Sequence, residues 1–225
     1  MKQRPSFSPS EAAVLIVDVQ NDFVADKGWV GRAGSDMRPL QQAVDGINRL
    51  IAGAREMGAH LFYITVEHGE QVDNGPYQAR YERRGMKPDA TICHTGTWGA
   101  ALYDGLTPPA AGDVRLVKHG YDSFGIPGLA GELKRRGIRS VVVTGVVTEL
   151  CVRSTAMSAF ENGFFPIVPL ESTASDEPEV AKEALHTLER WYAEIASVDE
   201  VLQRWSAAVN TSEANMPSKK MSGRS

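Results

Sequence analysis

Apolar runs of strand length recur along this chain at residues 13–17, 60–66, 114–117, 140–144, 165–169 and 193–197, and helix-patterned segments lie between most of them. That alternation reads as a parallel sheet. Residues 40–57 place Leu40, Val44, Ile47, Leu50, Ile51 and Ala54 at the helical spacing that presents one face to a sheet, and Gly58 supplies a C-terminal stop. Residues 129–136 repeat the arrangement ahead of Gly137, residues 151–162 form a third helix ended by Gly163, and residues 177–192 form a fourth. The pattern predicts a three-layer α/β/α fold around a doubly wound, mostly parallel, six-stranded sheet. Residues 69–112 break it. This stretch is polar and turn-rich, with His94-Thr95-Gly96-Thr97-Trp98-Gly99 at its centre, and suits an active-site loop or an interface arm better than a helix. Apolar content lapses after about Ala208, so the domain is drawn over residues 1–209, with a disordered tail over 210–225.

The 225 residues, 42% of them hydrophobic, suffice for one domain with a substantial core. Lys and Arg total 24 against 28 Asp and Glu, a formal net charge of -4, so the basic stripe that nucleic-acid binding requires is missing and nucleic acid is not an expected partner. No stretch approaches the roughly 18 apolar residues of a membrane span. Glu11 precedes the first strand-length run, which leaves the N-terminus without an apolar core of signal-peptide type. Cys93 and Cys151 are too few for a disulfide framework and match no metal-binding spacing. The expectation is a cytoplasmic protein with reduced thiols that acts on a small molecule.

Cys151 follows the apolar run at 140–144 and the turn at Gly145, then opens a helix-like segment. Backbone N–H groups at a helix start lack intrahelical partners, and the dipole there favours negative charge, so the position supports both a thiolate and an oxyanion. Asp18 closes the run at 13–17 and Lys118 closes that at 114–117. Ligands of a parallel α/β sheet gather outside the carboxyl ends of its strands, which is where all three stand. A carboxylate there takes the thiol proton and later returns it to a leaving amine, and an ammonium lowers the thiol pKa. Taken singly, each has a plainer reading: Cys151 as a small buried hydrophobe, Asp18 as a turn or cap residue, Lys118 as a solvated strand terminus. His119 invites a Cys-His pairing, but neighbours on a strand point to opposite faces, so it does not share a face with Lys118. Cys93 is read as an unreactive thiol.

The segments Val14-Leu15-Ile16-Val17-Asp18-Val19-Gln20-Asn21-Asp22-Phe23, Val117-Lys118-His119-Gly120-Tyr121-Asp122-Ser123-Phe124 and Val143-Thr144-Gly145-Val146-Val147-Thr148-Glu149-Leu150-Cys151-Val152 resemble the three signature blocks of the isochorismatase-like cysteine hydrolases. These include nicotinamidases, N-carbamoylsarcosine amidohydrolases, ureidoacrylate hydrolases and biuret hydrolases. The blocks stand in the family's order, and the likeness runs from about residue 11 to 200. The resemblance implies the isochorismatase-like form of the fold, with Cys151 as nucleophile, Asp18 as proton-shuttling base and Lys118 supporting thiolate and transition-state charge. It also implies a cis peptide at Val146-Val147 and an oxyanion hole built from the amides of Val147 and Cys151, for which about 3 kcal/mol per donor is the expected scale. The implied reaction is hydrolysis of a C–N bond in a small amide or ureido substrate through a thioester, with no cofactor and no metal, in a homo-oligomer, dimer or tetramer.

Nicotinamidases carry an Asp/His metal set just after the second strand. The corresponding residues 65–73 hold one histidine here, so Glu67 and His68 are read as loop residues bonding locally. Isochorismatases proper cleave a vinyl ether and can lack the cysteine, so Cys151 favours the amidase branch; a vinyl-ether hydrolase and a catalytically silent binding member are the alternatives. Phe23, Trp98 and Tyr121 are the candidate substrate-binding aromatics, with Trp29 nearby and Phe124 more suited to core packing. Gln20 and Asn21 are candidates for orienting the Asp18 carboxylate, and Glu149 receives no role. Arg32, Arg80, Arg83 and Arg84 are candidates for holding an anionic substrate, against the plainer reading of solvated surface.

Overall fold

The computed structural model describes residues 7–69, 73, 75–83 and 92–214. Its central strand, β1 (Ala12–Val17), is buried along its whole length, so both faces are covered and no polar residue interrupts the run. Parallel partners lie on either side: β2 (His60–Val66) on one and β4 (Ser140–Val146) on the other. Beyond β2 comes β3 (Val114–Lys118); beyond β4 come β5 (Phe165–Pro169) and β7 (Glu194–Ala196). A two-residue strand, β6 (Thr173–Ala174), also pairs with β4, which makes the sheet seven-stranded where six were expected. Two residues are too short to register as an apolar run.

Alternate strand residues feed two cores. Val14, Ile16, Tyr63 and Val142 face α3 (Arg38–Met57) and α8 (Val198–Ala214), meeting Leu40, Ile47, Leu50 and Trp205. Ala13, Leu15, Phe62 and Val143 face α5 (Leu129–Arg135), α6 (Arg153–Glu161) and α7 (Pro178–Trp191), meeting Leu133, Ala156 and Leu188. This is the three-layer α/β/α arrangement. Helix α3 stops where expected: Gly58 takes the left-handed conformation at φ 82° and returns its N–H to the Ala54 carbonyl.

Three segments depart from the sequence reading. Between residues 69 and 112, α4 (Gly75–Arg83) forms a helix whose Tyr77 and Arg80 share a face, one turn apart. The expected helix over residues 151–162 begins as a wide turn of π type over Thr148–Val152 before α6 takes over. Helix α8 runs on to Ala214, so residues 210–214 are helical; 215–225 lie outside the described residues. Two short helices, α1 (Asn21–Val24) and α2 (Trp29–Arg32), follow β1 and close over its carboxyl end.

Candidate active site

The connections out of β1 and β4 diverge to opposite sides, which opens a crevice at the carboxyl edge of the sheet between them. Asp18 ends β1 there in a left-handed conformation, φ 55°, its N–H bonded to the Ile64 carbonyl at 2.8 Å. Aspartate visits that region more readily than most side chains, and the turn aims its carboxylate into the molecule. Gly145 makes the close approach possible: at φ 116° it sits beside Val17, and a Cβ there would lie 1.9 Å from the Val17 carbonyl oxygen.

Lys118 is the last residue of β3 and is buried, not solvated. Its Nζ donates to Asp18 Oδ2 at 2.6 Å, to the Gly120 carbonyl at 2.7 Å and to Cys151 Sγ at 3.5 Å. One ammonium therefore satisfies its three donors on the carboxylate, the thiol and the backbone. Burial opposes the Lys118 charge, but the Asp18 carboxylate and the thiol outweigh it, and the ammonium keeps its proton. Burial raises the Asp18 carboxyl against the pull of Lys118. Burial, then the Asp18 charge, also push the Cys151 thiol well up. This differs from the lowered thiol pKa expected from the helix start and the ammonium. A neighbouring carboxylate in a dry site penalises a second anion. Asp18 and Cys151 also interact directly through their side chains, and moving a proton from sulfur to Asp18 would leave the total charge unchanged.

The Val146-Val147 peptide is cis. In the turn that follows, the Val147 carbonyl accepts from Leu150 N–H and Val152 N–H, each at 3.3 Å, and passes over the Cys151 N–H. A regular α-turn would have bonded that amide, so the wide turn leaves it outside the helical ladder.

A cavity of about 320 Å³ covers the sulfur. Phe23 and Tyr121 line it, with Trp29, Tyr77, Arg80 and His68. Trp98 does not: it is 40% exposed and lies beneath Lys27, whose Nζ is 4.4 Å from the ring centroid. Arg80 donates to the Tyr121 hydroxyl and stacks on Tyr77 at 4.9 Å, which carries one cation to the cavity wall. Arg32 instead donates to the Lys27 carbonyl at the surface, Arg83 is exposed, and Arg84 lies outside the described residues. Gln20 and Asn21 spend their side-chain hydrogen bonds elsewhere than on the Asp18 carboxylate. Gln20 ties Val66 to Ala100 through the backbone, and Asn21 donates to the Trp98 carbonyl, so both brace the loop. Asp22 does likewise, accepting from Trp29 N–H and Cys93 N–H.

His119 is exposed, its Nδ1 3.0 Å from the Glu67 carbonyl. His68 is buried with Nδ1 2.7 Å from Asp73 Oδ1, and burial lowers its pKa against the pull of that carboxylate. Among the described residues no three His, Cys, Asp or Glu side chains gather as metal ligands. Cys93 is buried and its thiol is pushed far up by burial. Tyr77, His68 and Glu149 were not singled out from sequence as site residues; the one-turn spacing of Tyr77 and Arg80 was the available signal.

The isochorismatase domain profile matches residues 12–200. The chain belongs to the isochorismatase family. It is 30% identical to the ureidoacrylate amidohydrolase RutB of Stutzerimonas stutzeri (strain A1501), over 92% of this chain and 87% of that protein. Among solved structures, a cysteine hydrolase from Pseudomonas syringae pv. phaseolicola 1448A superposes with a TM-score of 0.79 at 22% identity, covering 92% of this chain and 100% of that one. The nicotinamidase PncA of Bacillus subtilis superposes with a TM-score of 0.68 at 25% identity, covering 83% and 99%.

Proposed function

We propose that this family member is a cysteine amidohydrolase that cleaves a C–N bond of a small amide or ureido compound through a thioester. One observation carries the reading: Lys118 Nζ bridges the buried Asp18 carboxylate and the sulfur of Cys151, a residue that lines a cavity large enough for a small ligand. The amidohydrolase relatives support it.

The thiol passes its proton to Asp18, and the resulting thiolate, held by Lys118, attacks the substrate carbonyl carbon. The carbonyl oxygen becomes an oxyanion that the amides of Val147 and Cys151 receive. The tetrahedral adduct collapses, the C–N bond breaks, and Asp18 returns its proton to the leaving nitrogen, giving ammonia or an amine and a thioester. Water then attacks the thioester carbon as Asp18 takes a water proton; the C–S bond breaks, the thiolate recovers that proton, and the acid product departs. Every proton lost is regained within one cycle, and no step calls on a metal. Two free cysteines suit a reducing, cytoplasmic setting, and no helix of the described residues is long and apolar enough to cross a membrane.

Ammonia release measured over ureidoacrylate, N-carbamoyl amino acids, biuret, maleamate and nicotinamide tests the reading. Turnover of at least one is expected, with Cys151→Ala reducing it by about 10³-fold or more while the melting temperature holds. Substantial turnover by the alanine variant, or turnover of a vinyl ether without ammonia, would remove the thioester mechanism.

A further inference from the structure

His68 follows β2 and lines the same cavity that Cys151 enters from the turn after β4. Strand β1 lies between β2 and β4, so the imidazole and the sulfur reach the cavity from opposite flanks of that strand. The His68 side chain is only 5% exposed. Its Nδ1 lies 2.7 Å from Asp73 Oδ1, and Asp73 Oδ2 accepts the Gly69 N–H at 3.2 Å, which holds the carboxylate in place. A carboxylate can only accept, so Nδ1 carries the proton and Nε2 carries a lone pair. Burial lowers the His68 pKa more than the Asp73 carboxylate raises it, and the Arg80 and Lys118 charges act on the side of burial, so the ring stays neutral. Tyr77 packs against it, with the ring centroids 5.2 Å apart. Nε2 has no hydrogen-bond partner among the described residues, and unlike the sealed Asp18 Oδ1 and Glu149 Oε2 it is open from the cavity to a molecule the size of water. The wall across from the nucleophile therefore offers one fixed, neutral hydrogen-bond acceptor.

A substrate whose carbonyl carbon meets the sulfur, with its oxygen on the amides of Val147 and Cys151, sends its far end toward this wall. A methyl group or a carboxylate arriving there would strip water from Nε2 and give its lone pair nothing to bond, whereas an amide N–H₂ replaces the water. We propose that His68 is a specificity-determining residue that accepts an N–H from the far end of the substrate, so that the site selects compounds with a second amide or ureido group beyond the C–N bond it cleaves. The proposal rests on the amidohydrolase reading and narrows its substrate class.

Biuret and N-acetylurea are both uncharged and differ only in carrying N–H₂ or CH₃ at one end, so they isolate the contact. Titration calorimetry on the Cys151→Ala protein should show biuret binding about tenfold more tightly, the scale of one hydrogen bond. Adding His68→Phe, which keeps a flat ring and removes the lone pair, should bring the ratio to about one by weakening biuret alone. Asp73→Asn should do the same while keeping the imidazole. The Gly69 N–H requires the new amide's oxygen, so its N–H₂ faces Nδ1, the ring proton moves to Nε2, and the acceptor becomes a donor. Equal binding of the two ligands, binding of neither, or a preference that survives either variant in folded form overturns the proposal. Because binding is read without turnover, failure of the amidohydrolase reading shows separately, as wild-type protein that releases no ammonia.

Discussion

A carboxylate and an ammonium with side chains 0% and 1% exposed, 2.6 Å apart, stand or fall together. Each has given up hydration that only the other restores, so removing one partner is worse than removing both. Lys118→Met should cost about 3 kcal/mol of unfolding free energy, because it leaves the Asp18 charge buried alone. Asp18→Asn added to Lys118→Met should recover most of that loss while activity stays absent. Urea denaturation of the three proteins decides it, and additive losses would show that the pair is not coupled. The chemical trio was readable in the sequence because each member sits at the end of an apolar run, where an ionisable group is conspicuous. His68 was not, since a lone histidine in a polar stretch reads as a loop residue bonding locally, and nothing beside it reveals that its ring lines the cavity.

At the scale of elements, the sheet and its large helices were legible for one reason: strands covered on both faces carry no polar interruption, and α3 shows a single apolar face. Helix α4 was hidden because Gly75 and Pro76 open it and polar residues fill it, so the side chains that dock it, Tyr77 and Arg80, look like loop residues. The wide turn before α6 escaped because its bonds, including that from Val152 N–H to the Val147 carbonyl, leave no mark in hydrophobic spacing. Contact between β1 and β4 depends on Gly145. Gly145→Ala sets a methyl against the Val17 carbonyl in a conformation that alanine resists, and should cost about 2–3 kcal/mol while moving Asp18 away from Cys151. Thermal melting together with turnover tests this. Unchanged melting would mean that the strands yield at that point.

For the molecule as a whole, β5, the turn after it, α6 and α7 carry Phe160, Phe165, Leu170, Val180 and Trp191, each 45% exposed or more. If these side chains join into one patch, covering it would favour the expected homo-oligomer. Sedimentation velocity should give a mass at two or four times 24.5 kDa, and a monomer at micromolar concentration would refute it. The same view explains how the candidate site is composed. Lys118 and Asp18 are 100 residues apart in the chain, and Lys118 and Cys151 are 33 apart. No helix, hairpin or fragment contains the reactive set, because its members arrive on β1, β3 and the turn after β4. On the proposed mechanism, a refolding chain therefore lacks its complete set of reacting groups until its most remote strands have found one another. Recovery of turnover should lag behind recovery of helical signal, which makes the enzyme's own rate a gauge of when the last long-range pairing is complete.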